Sequence, residues 1–337
     1  MIKKIFIFTL IFLVSIICNA QKPSVFILTD INLVGGDPDD RQSLIHVLWY
    51  ANELNIRGVV PDYWNGKSQE ACQETIEIYA KDFVSYGFKK KGYPEPEQVE
   101  KLIAKDENDA IERLKNEAEN SESPLYVLVW GQMITLKKAL FTYPEISSKI
   151  RVLSIGTGLK YGPKDEVPGK DCTVSNWNGK GRDEIYKDPR FQQMWWLESN
   201  WTYNGMFMGE EPEQMFEQLQ AYGKMGKHIK TVTKNHSWAH YFRVGDTPTV
   251  LYLIDPNHNP DLPEESSWAG KFKKPFPHSR PNYFTDDNGE IEWDYADPCK
   301  TWGNLKEMYA YNKSTLHSRR AEMYESLLEK LNSLYGK

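Results

Sequence analysis

Four aspartates lie close together near the start of the chain, at positions 30, 37, 39 and 40. Asp30 ends an apolar run, a loop with two glycines follows, and Asp39-Asp40 opens a helical pattern. Like charges this close repel one another unless protons or a cation neutralise them. Carboxylate oxygens are the ligands that Ca²⁺ and Mg²⁺ prefer. The spacing therefore predicts a metal-centred active site.

A purely structural interpretation is open for each single aspartate. Asp37 and Asp39 could cap the helix and its preceding turn, because helix N-termini favour acidic side chains. The position of the whole group favours function, since ligands of open α/β sheets bind beyond the carboxyl ends of the strands.

The elements that must position these residues follow from the apolar pattern. Short apolar runs without alternation are typical of strands buried on both faces of a parallel sheet. The sequence predicts such strands over residues 25–28, 56–60, 125–130 and 150–155, and a later one over 249–254. Helices are predicted after Asp40 and over residues 70–86, 96–104, 109–118, 135–141, 211–224 and 316–334. The alternation predicts an α/β fold with a doubly wound, mainly parallel sheet.

Two stretches are predicted to be irregular. Residues 161–182 are rich in Gly, Lys and Asp, and residues 255–306 are dense in Pro, Asn, Asp and aromatics. Long irregular stretches in compact domains usually serve as lids or binding rims.

The first twenty residues have the pattern of a signal peptide. Lys3 and Lys4 precede an apolar stretch, and Ala20 is the small residue expected before cleavage. Lipidation at Cys18 is the alternative, although the bulky Ile17 before it disfavours that processing. We expect a periplasmic or secreted protein whose residues 21–337 form one domain.

The composition of the chain limits the classes of binding partner that we expect. The net charge of −6 argues against a nucleic-acid binder, which would carry a basic face. Cys72, Cys172 and Cys299 remain after signal removal, which permits one disulfide and leaves a thiol over. The 11 Trp and 19 Tyr could provide stacking surfaces for sugar rings.

The chain resembles the nucleoside hydrolases. The resemblance begins with the apolar strand, Asp30, the loop, Asp39-Asp40 and the helix, and continues through residues 56–60 to Asn65-Gly66. It is closer still to the exported nucleoside-hydrolase-like proteins of polysaccharide-degrading bacteria, first described as cellulose-binding. Further stretches that carry it are Val129-Trp-Gly, Gly245-Asp-Thr-Pro and Ser267-Trp-Ala-Gly-Lys. Nucleoside hydrolases break N-glycosidic bonds with a calcium ion held by aspartates.

The resemblance implies roles for particular residues. Asp30 and Asp40 would bind Ca²⁺ with the backbone carbonyl of Ile134, and Asp30 and Asp39 would be catalytic. The last ligand, an Asp in a His-Asp-Pro after a late strand, matches Asp255 of Ile254-Asp255-Pro256, with Asp261 and Asn259 as rivals. The residues implied to contact substrate are Asn65, Glu198, Asn200, Asn204 and His236.

Two departures from the family concern catalysis. Ile254 stands where the hydrolases keep a His beside the last aspartate, so another general acid is needed, and His236, His240 and His258 are the candidates. The loop between Asp30 and Asp39 is also longer than in true nucleoside hydrolases. The predicted function is a metal-dependent hydrolase of glycosidic bonds in a saccharide or glycoside. The alternatives are a non-catalytic carbohydrate-binding protein on the same scaffold and a purely structural protein.

Overall fold

The structure is a computed structural model. It describes residues 22–34, 38–156, 161–162, 173–174, 181–207, 211–237 and 239–337. The predictions about the signal peptide and about Asp37 concern residues outside these ranges.

A seven-stranded sheet organises the chain. Its strands are β1 (Ser24–Thr29), β2 (Asn55–Pro61), β3 (Leu125–Val129), β4 (Ile150–Ile155), β7 (Trp195–Ser199), β8 (Phe272–Lys273) and β9 (Tyr283–Asp286). Their order is β2-β1-β3-β4-β7-β9-β8, and every pairing is parallel except that of β8 with β9. A separate antiparallel pair joins β5 (Tyr161–Gly162) to β6 (Thr173–Val174).

Helices cover both faces of this sheet. They are α1 (Asp39–Trp49), α2 (Gly66–Tyr86), α3 (Pro96–Glu100), α4 (Glu107–Asn120), α5 (Ile134–Thr142), α6 (Arg182–Lys187), α7 (Glu211–Leu219), α8 (Gly223–Thr233), α9 (Pro248–Ile254) and α10 (Leu305–Tyr335). Strand β1 shows why both faces need cover, because all six of its residues are buried. Val25 and Ile27 join a core with α1, α2, α8 and α10, while Phe26 and Leu28 join a second core with α4 and α5. This alternation is the two-residue period of a strand.

The prediction of a doubly wound α/β fold is confirmed, and the first four predicted strands are present. Two local predictions are wrong. Residues 249–254 form helix α9, because Pro248 at its first position favours a helix start and a short apolar run fits a buried helix as well as a strand. The helix predicted over residues 211–224 is two helices, and Gly223 at the break has a left-handed φ of 63°.

The region predicted to be irregular after residue 255 contains strands β8 and β9. These strands are short, and β9 pairs with β7, which lies far away in sequence, so no local periodicity predicts them. The last helix also begins earlier than predicted, at Leu305.

Two further findings bear on the sequence predictions. Cys299 is disulfide-bonded, and Cys72 is a free, buried thiol. Within the described ranges, no helix combines the length and the apolar character that a membrane crossing requires.

Candidate metal centre and substrate site

Three carboxylates from two distant parts of the chain meet beside the sheet. Asp39 and Asp40 open helix α1, and Asp246 lies in the turn that leads into α9. One ligand atom of each lies within 4.8 Å of the others, and all three side chains are buried. Oxygens bound to one Ca²⁺ at its usual distances are at most about 5 Å apart. The donor set therefore fits a single divalent cation.

Burial and mutual repulsion make the charged form of this cluster unfavourable. The pKa of Asp40 lies well above its ordinary value, first because of burial and then because of the charges of Asp246, Asp30 and Asp39. The hydroxyl of Thr29, at the end of β1, donates a 2.5 Å hydrogen bond to Asp40 Oδ1 and opposes that rise. A cation bound here would relieve the repulsion.

Asp30 lies at the edge of this cluster. It follows β1 directly, and its side chain rests against the backbone of Gly131 after β3, where an added Cβ would lie 2.6 Å from Asp30 Cγ. The charge of Asp30 raises the pKa of both Asp40 and Asp62, which follows β2. Asp30 is thus within electrostatic reach of both carboxyl groups. Its roles as ligand and base stay predictions.

Hydrogen bonds from neighbouring elements hold the turn that carries Asp246. The indole of Trp130, after β3, donates to Thr249 Oγ1 at 2.9 Å, and that hydroxyl donates to the Asp246 carbonyl at 2.8 Å. Thr247 Oγ1 donates to the carbonyl of Val244, whose φ of 28° is left-handed. Because the hydroxyl proton is used in that bond, Thr247 Oγ1 accepts from His46 Nδ1 at 3.0 Å. These contacts tie the turn to α1 and β3.

His46 is neutral in this setting. Burial lowers its pKa to about 3, and its Nε2 has no hydrogen-bond partner in the described parts of the chain. A neutral imidazole deep inside the protein supports the fold and is a poor proton donor at neutral pH.

The assignment of Asp255 as the last ligand is wrong. Its carboxylate accepts from the Trp268 backbone N–H at 2.9 Å and pairs with Arg319 at 3.3 Å. Asp255 and His258 line a cavity of about 540 Å³ together with Lys22 and Pro23, which precede β1. Asp30 follows that strand, so Asp255 lies toward the opposite edge of the sheet.

The rivals of Asp255 lie toward the same distant edge. Asp261 is paired at 2.5 Å with Arg151, near the start of β4, and Asn259 accepts from the Asp261 backbone N–H. Asp246, and not Asp255, lies beside Asp39 and Asp40. The Gly245-Asp-Thr-Pro stretch contained the signal, since Asp246 stands two residues before a proline that starts a helix.

The residue before Asp246 is Gly245, so this site also lacks the histidine of the hydrolases. A Cβ at Gly245 would lie 2.4 Å from the ring of Phe207 and 2.8 Å from Asp39 Oδ2. The Phe207 ring therefore occupies the space that a side chain at position 245 would need.

The residues after β7 reach the cluster through Tyr203. Burial raises the pKa of its phenol, as do the charges of Asp39 and Asp246, while a hydrogen bond with Asn204 lowers it. Tyr203 also meets Phe207 edge to face, with ring centroids 5.6 Å apart. Sequence reasoning placed Asn204 here but missed the two aromatic residues, which no spacing distinguishes from core positions.

Three of the predicted contact residues are engaged in structural hydrogen bonds. Asn65 caps helix α2 by accepting from the Ser68 N–H. Asn200 donates to Thr285, and its Oδ1 is buried without a partner among the described residues. Both oxygens of Glu198 are bound by Arg182, at 2.9 and 2.6 Å.

The remaining candidates lie in the segment after α8 and at the start of α5. His236 is exposed in the turn after α8, and His240 lies 3.2 Å from Glu213. Ile134 is the first residue of α5, beyond β3. The roles of Ile134 and His236 stay predictions.

Comparison with known proteins identifies the family. The fold and the acidic cluster define an α/β protein of the nucleoside-hydrolase-like class. The chain belongs to the family described as cellulose-binding Sde182, nucleoside hydrolase-like domain, which it matches over residues 24–272.

Two solved structures are similar to the chain. A nucleoside hydrolase-related hypothetical protein from Saccharophagus degradans, associated with carbohydrate metabolism, is 16% identical with a TM-score of 0.56, over 86% of this chain and 72% of that one. An inosine-uridine preferring nucleoside hydrolase from Bacillus anthracis is 15% identical with a TM-score of 0.45, over 85% and 99%. No curated protein matches the chain significantly.

A substitution of Glu198 tests whether this residue has a structural role or a substrate-binding role. Glu198→Gln should lower the free energy of unfolding by about 3–5 kcal/mol, because it removes the buried counter-charge of the fully buried Arg182, whose other acidic neighbour, Asp183, is partly exposed. Chemical denaturation measures this, and a second Arg182→Met substitution should recover part of the loss. Unchanged stability would contradict a structural role.

The raised pKa of Asp62 can be tested through the pH dependence of the free energy of unfolding. Burial raises its pKa to about 7, opposed by hydrogen bonds from Thr135 and Trp64 and assisted by the charges of Glu107 and Asp30. The unfolded chain releases this proton near pH 4, so the stabilisation present at low pH is lost as pH rises through 7. In the wild type, the Asp62 carboxyl group should therefore lower the unfolding free energy by about 3 kcal/mol between pH 5 and 8. The Asp62→Asn variant should lack this part of the decline. Denaturation in EDTA at several pH values measures it, and parallel profiles would refute the assignment.

Proposed function

We propose that the chain is an exported, calcium-dependent hydrolase of glycosidic bonds that acts on a saccharide or glycoside. The observation that carries the proposal is the meeting of Asp39, Asp40 and Asp246 within the span of one cation. A large domain has no structural need to bury three carboxylates together, because their repulsion destabilises it unless an ion binds. Calcium is preferred over magnesium because it tolerates irregular carboxylate cages.

The residues around the cluster suit hydrolysis by water. A bound cation lowers the pKa of water and can hold sugar hydroxyls. Asp30, half-buried beside the cluster, would take the proton of the attacking water. Water adds to the anomeric carbon, the bond to the leaving group breaks with its electron pair, and the leaving group takes a proton from solvent. Asp39 borders the same space as a partner for sugar hydroxyls.

Three observations support a saccharide ligand and an exported protein. The family description names cellulose binding, and the Saccharophagus degradans structure is associated with carbohydrate metabolism. The N-terminal pattern of Lys3, Lys4, an apolar stretch and Ala20 favours cleavage and release to the periplasm or medium.

A specific observation favours a second candidate, a carbohydrate-binding protein without turnover. Gly245 stands where a side chain could donate a proton, and Phe207 fills that space. A leaving group that needs protonation would then have no donor at this position.

The first experiment tests the metal site. Calcium added to EDTA-treated protein should stabilise the wild type by about 2.7 kcal/mol at a hundredfold excess over Kd. Asp40→Asn should lose this stabilisation and, in EDTA at pH 8, exceed the wild type in unfolding free energy, because one repelling charge is gone. Thermal denaturation with and without Ca²⁺ measures both.

The matched control for this experiment is Asp255→Asn. It removes an equally buried carboxylate toward the other edge of the sheet, so the calcium response should persist. A calcium response absent from the wild type, or lost in the control alone, would refute the site.

The second experiment separates enzyme from binder. The wild type should release reducing sugar or free base from at least one member of a panel of glycosides, cello-oligosaccharides and nucleosides. Asp30→Asn should reduce turnover at least a hundredfold, because general-base catalysis typically contributes 10²–10⁴. Oligosaccharide affinity without any turnover would establish the binder instead.

A further inference from the structure

Phe207 and Gly245 form an interlocked pair at the wall of the acidic cluster. The ring of Phe207 approaches so closely that a Cβ on residue 245 would lie 2.4 Å from Cζ and 2.5 Å from Cε1. Real Cβ atoms do not come this close to carbon, so the ring position requires glycine here. The space that a side chain at position 245 would fill is thus occupied by the Phe207 ring, which comes from the segment after β7.

The orientation of this ring is set from two sides. The guanidinium carbon of Arg243 lies 4.2 Å from the ring centroid, within the range of a cation–π contact. Tyr203 meets the ring at an interplanar angle of 88°. A ring held by two neighbours is pre-organised and loses little freedom when a ligand contacts it.

The ring borders the space of the metal centre. The point that lies 2.4 Å from Phe207 is also 2.8 Å from Asp39 Oδ2. Phe207 remains partly exposed, at the end of the 3₁₀ turn Thr202–Phe207. An apolar ring thus stands beside a carboxylate, and Phe207 keeps partial solvent exposure.

This pairing of groups matches the two surfaces of a pyranose. The C–H groups on one face of the sugar are apolar and suit an aromatic ring, whereas the hydroxyls suit carboxylate oxygens. We propose that Phe207 is a stacking platform for a sugar ring whose hydroxyls face Asp39, and that Gly245 is present to admit it. This inference rests on the proposed saccharide ligand and holds for a hydrolase or a binder.

The test compares aromatic variants by calorimetry with cellohexaose in the presence of Ca²⁺. Phe207→Ala should weaken cellohexaose binding at least tenfold, and Phe207→Tyr should stay within about threefold of wild type because it keeps a stacking ring. The calcium-induced shift in Tm should be unchanged in both, which shows that the metal site and the fold persist.

Phe141→Ala is the matched control. Phe141 is an exposed phenylalanine that also carries an arginine, Arg190, 4.7 Å from its ring centroid, but it lies at the far end of α5. Its removal should leave cellohexaose affinity unchanged.

Each outcome bears on the proposal. Equal affinity of Phe207→Ala and wild type overturns the platform while a normal calcium response keeps the proposed metal site. A wild type that responds to calcium but does not bind cellohexaose also overturns it. A wild type with neither response overturns the proposed function itself. Equal losses in Phe207→Ala and Phe207→Tyr refute stacking as the cause.

Discussion

Repulsion among buried carboxylates is the constraint on which the rest of this site depends. Asp40 is buried within reach of three other acidic side chains, and one hydroxyl, that of Thr29, opposes the cost. Neither Asp40 nor Thr29 is free to move away from the other, because Asp40 belongs to the first turn of α1 and Thr29 ends strand β1, which lies between β2 and β3. The fold thus holds these carboxyl groups together before any ligand arrives, as a rigid cation site would require.

The surrounding elements serve this arrangement. Strands β1, β2 and β3 end at one edge of the sheet and bring Asp30, Asp62 and Trp130 together there. Trp130 and His46 then fix the turn that brings Asp246 from the second half of the chain. The aromatic residues that follow β7 close another side of the same space.

The sequence predicted the parts of this structure that depend on local pattern. Uniformly apolar runs identified the first four strands, and Asp39-Asp40 identified the helix that bears the acidic pair. Residues whose position depends on tertiary contact were less accessible. Residues 249–254 are apolar in either conformation, and the choice of strand over helix moved the expected ligand from Asp246 to Asp255. Glu198 looked available in sequence because nothing there shows that Arg182 occupies both of its oxygens.

The origin of the three clustered aspartates in opposite halves of the chain has a consequence for folding. Asp39 and Asp40 can share an ion with Asp246 only after the whole sheet has assembled and α9 has docked beside it. A partly folded chain would offer only two of the three carboxylates, so the binding of an ion by all three and the last stage of folding would be one thermodynamic event. An ion that binds late would therefore stabilise only the chains that have already folded.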